Sequence, residues 1–260
     1  MVARVLVGAP ALAVAVAFVW LGGAPFAVFL ALLGAACLYE LFALYGDARA
    51  AWPAALVALG GLIAAAQLGG YQQVLLATVA AIPLIFIVNL FMTKGGTFGI
   101  ALTLLGVCWI GLALAHAVLL RRLPHGEGIV FDVIAGTFVG DSAAYLGGRA
   151  FGRHRLAATI SPNKTVEGLI FGLAAAVLTV WLASRFESYL HAGDAILLGV
   201  GVAIAAPIGD LFESYVKRDA GAKDTGRLFG AHGGALDRLD AVLFSAVTSF
   251  YIWHAILLAG

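Results

Sequence analysis

Long apolar runs separated by short polar stretches make up most of this 260-residue chain. A membrane-spanning helix needs about 20 mostly apolar residues, and runs of this length recur from one end of the chain to the other. The predicted spans are residues 4–22, 24–45, 52–69, 72–92, 98–120, 129–148, 165–183, 194–216 and 239–258. The pattern therefore predicts an all-α integral membrane protein, a polytopic bundle of about nine transmembrane helices.

Composition supports the same class. The chain is 63% hydrophobic and 11% charged, with a mean hydropathy of +1.03, whereas soluble domains carry about 25% charged residues. The net charge of +1 gives no indication of nucleic-acid binding. Cys37 and Cys108 lie in separate apolar spans, so we interpret them as small core residues and expect neither a disulfide framework nor a cysteine metal site.

The first 20 residues combine a basic start with an apolar run, as a secretory signal peptide does. The apolar run is longer than the core of such a peptide, and a second span follows at once. We therefore expect an uncleaved first helix.

The distribution of lysine and arginine predicts the orientation, because cytoplasmic loops are enriched in both. With nine spans, one side holds twelve of the fifteen cations. These are Arg4, Arg49, Lys94, Arg149, Arg153, Arg155, Lys164, Lys217, Arg218, Lys223, Arg227 and Arg238. The other side holds Arg121, Arg122 and Arg185. The N-terminus is therefore predicted to lie in the cytoplasm, and the protein in the cell inner (plasma) membrane with its charged segment facing the cytoplasm.

The first half of the chain carries few chemical groups. We expect residues 1–120 to form a helical scaffold and residues 121–260 to form the catalytic half of one membrane domain, residues 1–260.

The roles of two acidic residues within apolar spans stay open. Glu40 is either a partner for a bound cation or a side chain that reaches the interface, and Asp132 has either a packing or a proton-linked role.

The stretch 207–240 is dense in charge, whereas residues 195–206 and 241–252 on either side carry none. Charge between apolar spans is costly beside lipid and indicates a functional site. A solvated loop of mutually paired charges is the simpler alternative. The helical spacing of the acids and bases favours the functional interpretation.

That spacing indicates the chemistry. Asp210 is followed at three, four and seven residues by Glu213, Ser214 and Lys217, so all four share one face of a helix. Oxygen ligands from this helix and the next suit Mg²⁺, which binds through one or two carboxylates and shares its other positions with phosphates. The next helix supplies Asp237 and Asp240, which share its first turn. Nearby lysines and arginines would contact those phosphates.

A second polar segment precedes this stretch. Asp141 lies inside an otherwise apolar helix, and Gly136 and Gly140 form a G-x-x-x-G pair that permits close helix packing. Ser161 before Pro162 predicts a helix start, where Lys164 would complete an anion site.

Both segments resemble a known family. The first block is D-S-A-A-Y-L-G-G-R-x-F-G-R-H-R-L, from residue 141, followed by S-P-N-K-T-V-E-G. The second is G-D-L-F-E-S-Y-V-K-R-x4-K-D-T-G-x2-F-G-A-H-G-G-A-x-D-R-L-D, over 209–240. Together they resemble the bacterial phosphatidate cytidylyltransferases, or CDP-diacylglycerol synthases. The departures are Ala158 for a frequent proline, Gly230-Ala231 for Pro-Gly and Ala235 for a larger apolar residue. They affect loop shape rather than charge.

The resemblance implies the reaction CTP + phosphatidic acid → CDP-diacylglycerol + pyrophosphate, a metal-dependent nucleotidyl transfer in phospholipid biosynthesis. The implied partners are CTP, phosphatidic acid and the lipid bilayer; a homodimer and a second cation are left open. We assign Asp210, Asp237 and Asp240 to Mg²⁺. The expected catalytic residues are Lys223, Asp224 and His232, although His232 could instead shape its turn. The expected substrate-binding residues are Asp141, Arg149, Ser161, Lys164, Glu213, Ser214, Lys217, Arg218 and Arg238.

Three rival functions are less consistent with the residues. CDP-alcohol phosphotransferases carry a DxxDG…AR…GxxxD…xxxD pattern, which the sequence lacks. A transporter with an intramembrane acidic relay leaves the basic, glycine-rich loop unexplained and predicts inverted repeats that we do not find. A purely structural membrane protein leaves the whole charged stretch unexplained.

Overall fold

The computed structural model describes residues 13–46, 50–92, 95–226 and 233–259, and most of these residues are helical. Helices α1 to α10 cover residues 13–21, Gly23–Tyr45, Trp52–Leu68, Tyr71–Leu90, Gly96–Gly106, Leu112–Arg122, Gly126–Phe151, Val166–Ala183, Ala192–Asp219 and Leu236–Ala259. A π-helical turn, Val107–Gly111, joins α5 to α6, and two short strands, β1 (Arg155–Ala157) and β2 (Ser161–Thr165), lie between α7 and α8. The predicted all-α fold class is confirmed.

Within the described ranges, seven helical segments are long and apolar enough to cross a membrane, with α5 and α6 counted as one segment of 27 residues. The helix α3 is shorter and also apolar. Large apolar side chains stand exposed on these helices, Leu75, Leu76 and Phe86 of α4 among them, as lipid-facing side chains do. The protein is a multi-pass membrane protein.

Part of the sequence-based topology lies outside the described residues. The first predicted span begins at residue 4, and Arg4, Arg49, Lys94 and Arg227 of the orientation count also lie outside. The orientation stays a prediction.

The chain forms two compact units. The first combines Met1–Arg122 with Ala220–Leu239, and the second combines Leu123–Asp219 with Asp240–Gly260. The helix α10 therefore begins in the first unit and continues in the second.

In the first unit, two arginines at the end of α6 bind the ends of other helices. Arg121 Nε donates to the carbonyl of Val19 at 2.7 Å, and Arg122 Nη1 donates to the carbonyls of Gly69, at 2.8 Å, and Ala66. The last carbonyls of a helix lack intrahelical donors, so these arginines supply them at the ends of α1 and α3. Two of the three cations assigned to one membrane side therefore also have a structural role.

In the second unit, α7 and α8 pack closely through glycines. A Cβ placed on Gly172 would lie 3.0 Å from the carbonyl oxygen of Gly140, and one on Gly140 would lie 3.3 Å from that of Gly172. A Cβ on Gly136 would lie 3.1 Å from Val180 of α8. The close packing expected for the Gly136–Gly140 pair is confirmed.

The predicted helix start at Ser161-Pro162 is wrong. Ser161 to Thr165 form β2, paired antiparallel with β1, and α8 begins at Val166. Thr165 is the N-cap, because its Oγ1 accepts a hydrogen bond from Gly168 N at 3.1 Å. Threonine provides the same kind of capping oxygen as serine, and the observed N-cap lies four residues beyond the predicted one.

Candidate functional site

One face of α9 carries the polar side chains that the spacing predicted. Ser214 Oγ lies 3.4 Å from Asp210 Oδ1, and Lys217 Nζ lies 2.6 Å from Glu213 Oε2. The Glu213 side chain is 1% exposed and that of Lys217 12%. A carboxylate buried this deeply needs a charged or hydrogen-bonding partner, and Lys217 is one.

The β-hairpin brings a second lysine to this face. Lys164 of β2 forms an ion pair with Asp210 Oδ2. The hairpin is held at its base by Glu167 of α8, which accepts hydrogen bonds from the backbone N–H groups of Arg153, at 3.0 Å, and His154, at 3.2 Å. Glu167 therefore holds the start of the hairpin at the first turn of α8. Asp141 of α7 lies close enough to interact electrostatically with both Asp210 and Lys164.

The helix α10 adds a further carboxylate, that of Asp240, to the side chains from α9 and the hairpin. A Cβ on Gly209 would collide with the backbone carbonyl of Asp240, so glycine permits α9 and α10 to approach closely there. As a result, Asp210, Glu213 and Asp240 offer ligand oxygens within 4.8 Å of one another. These are hard oxygen donors from two helices, the kind that Mg²⁺ prefers.

The charge balance of this cluster fits the same conclusion. The cluster contains four carboxyl groups and two ammonium groups. The carboxyl groups are those of Asp141, Asp210, Glu213 and Asp240, and the ammonium groups are those of Lys164 and Lys217. When all are ionised, two negative charges remain, the amount that one divalent cation neutralises. The donor set and the charge therefore both suit a metal ion.

An apolar groove in the second unit adjoins the cluster at Asp141. Its walls are mostly glycine and alanine from α7, α8 and α9, including Gly140, Gly172 and Ala203. Small residues leave room between helices, and the polar lining residues are Asp141 and Thr137. The groove is therefore apolar apart from Thr137 and the carboxyl group of Asp141.

In the first unit, Asp237 is hydrogen-bonded to the segment that precedes α10. Its Oδ2 accepts from Gly234 N at 2.7 Å, and from Thr225 N and Thr225 Oγ1 at 3.0 Å each. Gly233 has a φ of 80°, which favours glycine. The assignment of Asp237 to the metal stays a prediction, and this network is a second role for the same carboxylate.

Glu40, whose role the sequence left open, lies in this network. It is 4% exposed. Its Oε1 accepts from Ala235 N at 2.9 Å, and its Oε2 accepts from Leu236 N at 2.9 Å and from Thr225 Oγ1 at 3.2 Å. Glu40 therefore binds Thr225 as well as the first residues of α10. Thr225 itself was missed by the sequence reasoning, although it lies inside the K-D-T-G motif.

The other predicted site residues take different positions. In the second unit, Arg149 is exposed in the last turn of α7, Ser161 is half-buried in β2, and Arg218 Nε donates to the carbonyl of Ile160 at 3.2 Å. Lys223, Asp224 and Arg238 are exposed in the first unit. His232 lies outside the described residues. The roles predicted for these residues stay predictions.

Asp132 belongs to a separate group in the second unit. It is 5% exposed and interacts with Glu187 in the segment between α8 and α9. Among the described residues, no donor reaches Asp132 Oδ2 or Glu187 Oε2. Two carboxyl groups in contact repel one another when both are ionised, so the pair differs from the lysine-compensated carboxylates of the cluster. Burial, together with a hydrogen bond to Glu187, raises the pKa of Tyr189 above its ordinary value.

Fold and site together define a multi-pass membrane protein with a lysine-bearing carboxylate cluster suited to a metal ion. The sequence model of the cytidylyltransferase family matches residues 2–256, and the protein belongs to that family.

Curated relatives share about half of the chain. An uncharacterized protein of Escherichia coli K12, YnbB, is 37% identical over 144 residues, 54% of this chain and 48% of the relative. A phosphatidate cytidylyltransferase of Mycobacterium bovis is 37% identical over 148 residues, 55% and 47% of the two chains. One of Brucella suis is 40% identical over 152 residues, 58% and 56% of the two chains. The matched region thus spans about half the length of these relatives.

Proposed function

We propose that the protein is a phosphatidate cytidylyltransferase, which converts CTP and phosphatidic acid into CDP-diacylglycerol and pyrophosphate. The observation that carries the proposal is the cluster of Asp210, Glu213 and Asp240 with Lys164 and Lys217 in a member of the cytidylyltransferase family. The names of the mycobacterial and Brucella relatives point to the same reaction.

The reaction brings two anions together. A phosphate oxygen of phosphatidic acid attacks the α-phosphorus of CTP and forms a new P–O bond, while the bond from that phosphorus to the α,β-bridging oxygen breaks and pyrophosphate leaves with the electron pair. Such a transfer depends on positioning and charge neutralisation rather than on a covalent intermediate with the protein. A site of ammonium groups and metal-binding carboxylates suits that requirement.

The roles follow from the contacts in the second unit. Asp210, Glu213 and Asp240 would hold Mg²⁺, whose bound charge would offset that of the CTP phosphates. Lys164 and Lys217 would bind phosphate oxygens, for which a compact, mobile ammonium group is suited. Each lysine is paired with a carboxylate of the cluster, so it is kept beside the position of the reacting phosphates.

The remaining predicted residues complete the proposal. Lys223, Asp224, Arg238 and His232 would contact substrate, Asp237 would be a further metal ligand, and Arg149, Ser161 and Arg218 would contact the phosphates. The apolar groove at Asp141 would take an acyl chain of the lipid, while the lipid head group stays beside the carboxylate cluster. The charge distribution favours a site on the cytoplasmic side of the inner membrane.

The test is pyrophosphate release by the purified protein in detergent, given CTP and Mg²⁺ with and without phosphatidic acid. We expect release that depends on the lipid and on Mg²⁺ and that Asp210→Asn and Asp240→Asn lower sharply at the Mg²⁺ concentration that saturates the wild type. The matched control is Asp194→Asn, an acid at the opposite end of α9, which should retain activity. Absence of release from the folded wild-type protein would contradict the proposal, and release without lipid would indicate another acceptor.

A further inference from the structure

The acidic side chain of Glu40 is buried in the first half of the chain, about 190 residues from the segment that it contacts. In the described part of the chain, the carboxylates with metal-ligand spacing are Asp210, Glu213 and Asp240, so Glu40 is outside that group. Both of its oxygens accept hydrogen bonds, from Ala235 N, Leu236 N and Thr225 Oγ1. Glu40 therefore serves as a hydrogen-bond acceptor for backbone N–H groups.

We propose that Glu40 is a positioning residue, which fixes Thr225 and the start of α10 in the arrangement that the reaction requires. This inference rests on the cytidylyltransferase activity proposed above. The first N–H groups of a helix have no intrahelical acceptor and carry partial positive charge. A carboxylate that accepts from two of them, as Glu40 does at Ala235 and Leu236, binds the start of α10 strongly.

The hydroxyl group of Thr225 lies within hydrogen-bonding distance of two carboxylates. Thr225 Oγ1 lies 3.2 Å from Glu40 Oε2 and 3.0 Å from Asp237 Oδ2, and it is 5% exposed as a residue. A hydroxyl has a single proton to donate, so Thr225 donates to one of these carboxylates at a time, while its backbone N–H also serves Asp237. Glu40, Thr225 and Asp237 therefore form one network.

Two glycines make room for this network. A Cβ on Gly226 or on Gly234 would run into the carboxyl group of Glu40. Glycine at both positions therefore permits the backbone to approach Glu40 closely enough for its N–H groups to bind. The need for glycine at the last position of K-D-T-G and at Gly234 therefore arises from Glu40, a residue outside both predicted motif blocks.

Glu40→Gln is the sharpest variant, because it keeps the size of the side chain. Both oxygens of Glu40 accept, so the amide –NH₂ of glutamine would face a donor. We expect amide exchange at Ala235 and Leu236 to accelerate, and kcat/KM for CTP to fall by about tenfold or more, with a thermal midpoint near that of the wild type. Thr225→Val should act in the same direction, whereas Thr225→Ser, which keeps the hydroxyl, should restore both readouts. Asp194→Asn is the control.

The two readouts separate the possible failures. Wild-type exchange and wild-type kinetics in Glu40→Gln would overturn the inference. Equal loss of activity in Thr225→Val and Thr225→Ser with unchanged exchange would also overturn it. If the wild-type protein releases no pyrophosphate, the proposed function fails, and the exchange of Ala235 and Leu236 still decides whether Glu40 fixes the start of α10.

Discussion

Lys217 Nζ lies 2.6 Å from Glu213 Oε2, one helical turn apart on α9, and the glutamate side chain is 1% exposed. A buried ion pair costs desolvation on both sides, so removing one partner leaves the other charge without its compensation. This pair lies in the proposed catalytic cluster, where each group also has a chemical role. Stability and catalysis should therefore respond to the same two side chains.

A double-mutant cycle measures this coupling. We expect Lys217→Met and Glu213→Gln each to lower the free energy of unfolding, with a coupling of about 2 kcal/mol between them. Denaturant titration of the purified protein gives the four values. The matched control is the pair His154–Glu167, also at 2.6 Å, whose histidine side chain is 78% exposed. Solvent screening should make its coupling much smaller. Equal coupling in both pairs would contradict the burial argument.

A magnesium titration distinguishes the carboxylates. Asp210→Asn and Asp240→Asn should shift the Mg²⁺ midpoint of activity to higher concentration, or remove activity, because each loses a ligand oxygen of the described cluster. Thermal stabilisation by Mg²⁺, measured without CTP, should weaken in the same variants. Unchanged midpoints in both would exclude these residues as ligands.

Asp237→Asn tests the two roles of that carboxylate. In the wild type, Asp237 Oδ2 accepts three hydrogen bonds. The asparagine side chain has one oxygen and one –NH₂ group, so it can place an acceptor at only one of the two carboxylate oxygen positions. If Asp237 is a metal ligand, the Mg²⁺ midpoint should rise as in Asp210→Asn. If its role is to hold Thr225 and Gly234 in place, we expect an unchanged Mg²⁺ midpoint, a lower kcat and faster amide exchange at Gly234.

The cap of α8 gives a purely structural prediction. Thr165→Ala should destabilise the protein by about 1 kcal/mol, because the Gly168 N–H loses its acceptor. Thr165→Ser should retain most of the stability. Ser161→Ala, at the position where the sequence first indicated a helix start, should have little effect on stability. The reverse order, with Ser161→Ala the more destabilising, would contradict the position of the cap.

Asp132 should not be needed for catalysis. We expect Asp132→Asn to keep full activity and to raise the thermal midpoint, because the amide group can donate a hydrogen bond to the Glu187 carboxyl group that it contacts. Asp132→Leu, which cannot donate, should lower the midpoint. A loss of activity in a well-folded Asp132→Asn protein would instead support the proton-linked role.

The spanning helices could be predicted from the sequence because a bilayer sets a minimum length of apolar chain. The face of α9 could also be predicted, since Asp210 and Lys217 are two turns apart in a helix whose period is fixed. The N-cap of α8 was not predicted, because Ser161 and Thr165 are both good caps and the β-hairpin that contains Ser161 spans only a few residues. The partners of Glu40 could not either, because they lie 185 to 196 residues away along the chain.

The division of the chain into two units also bears on how it could be cut. A break after Arg122, near the boundary expected from the sequence, leaves Ala220–Leu239 on a different polypeptide from the helices of its own unit. Glu40 and Thr225 would then meet only by association of the fragments. Residues 1–122 and 123–260 should therefore complement one another when co-expressed and should each be deficient alone.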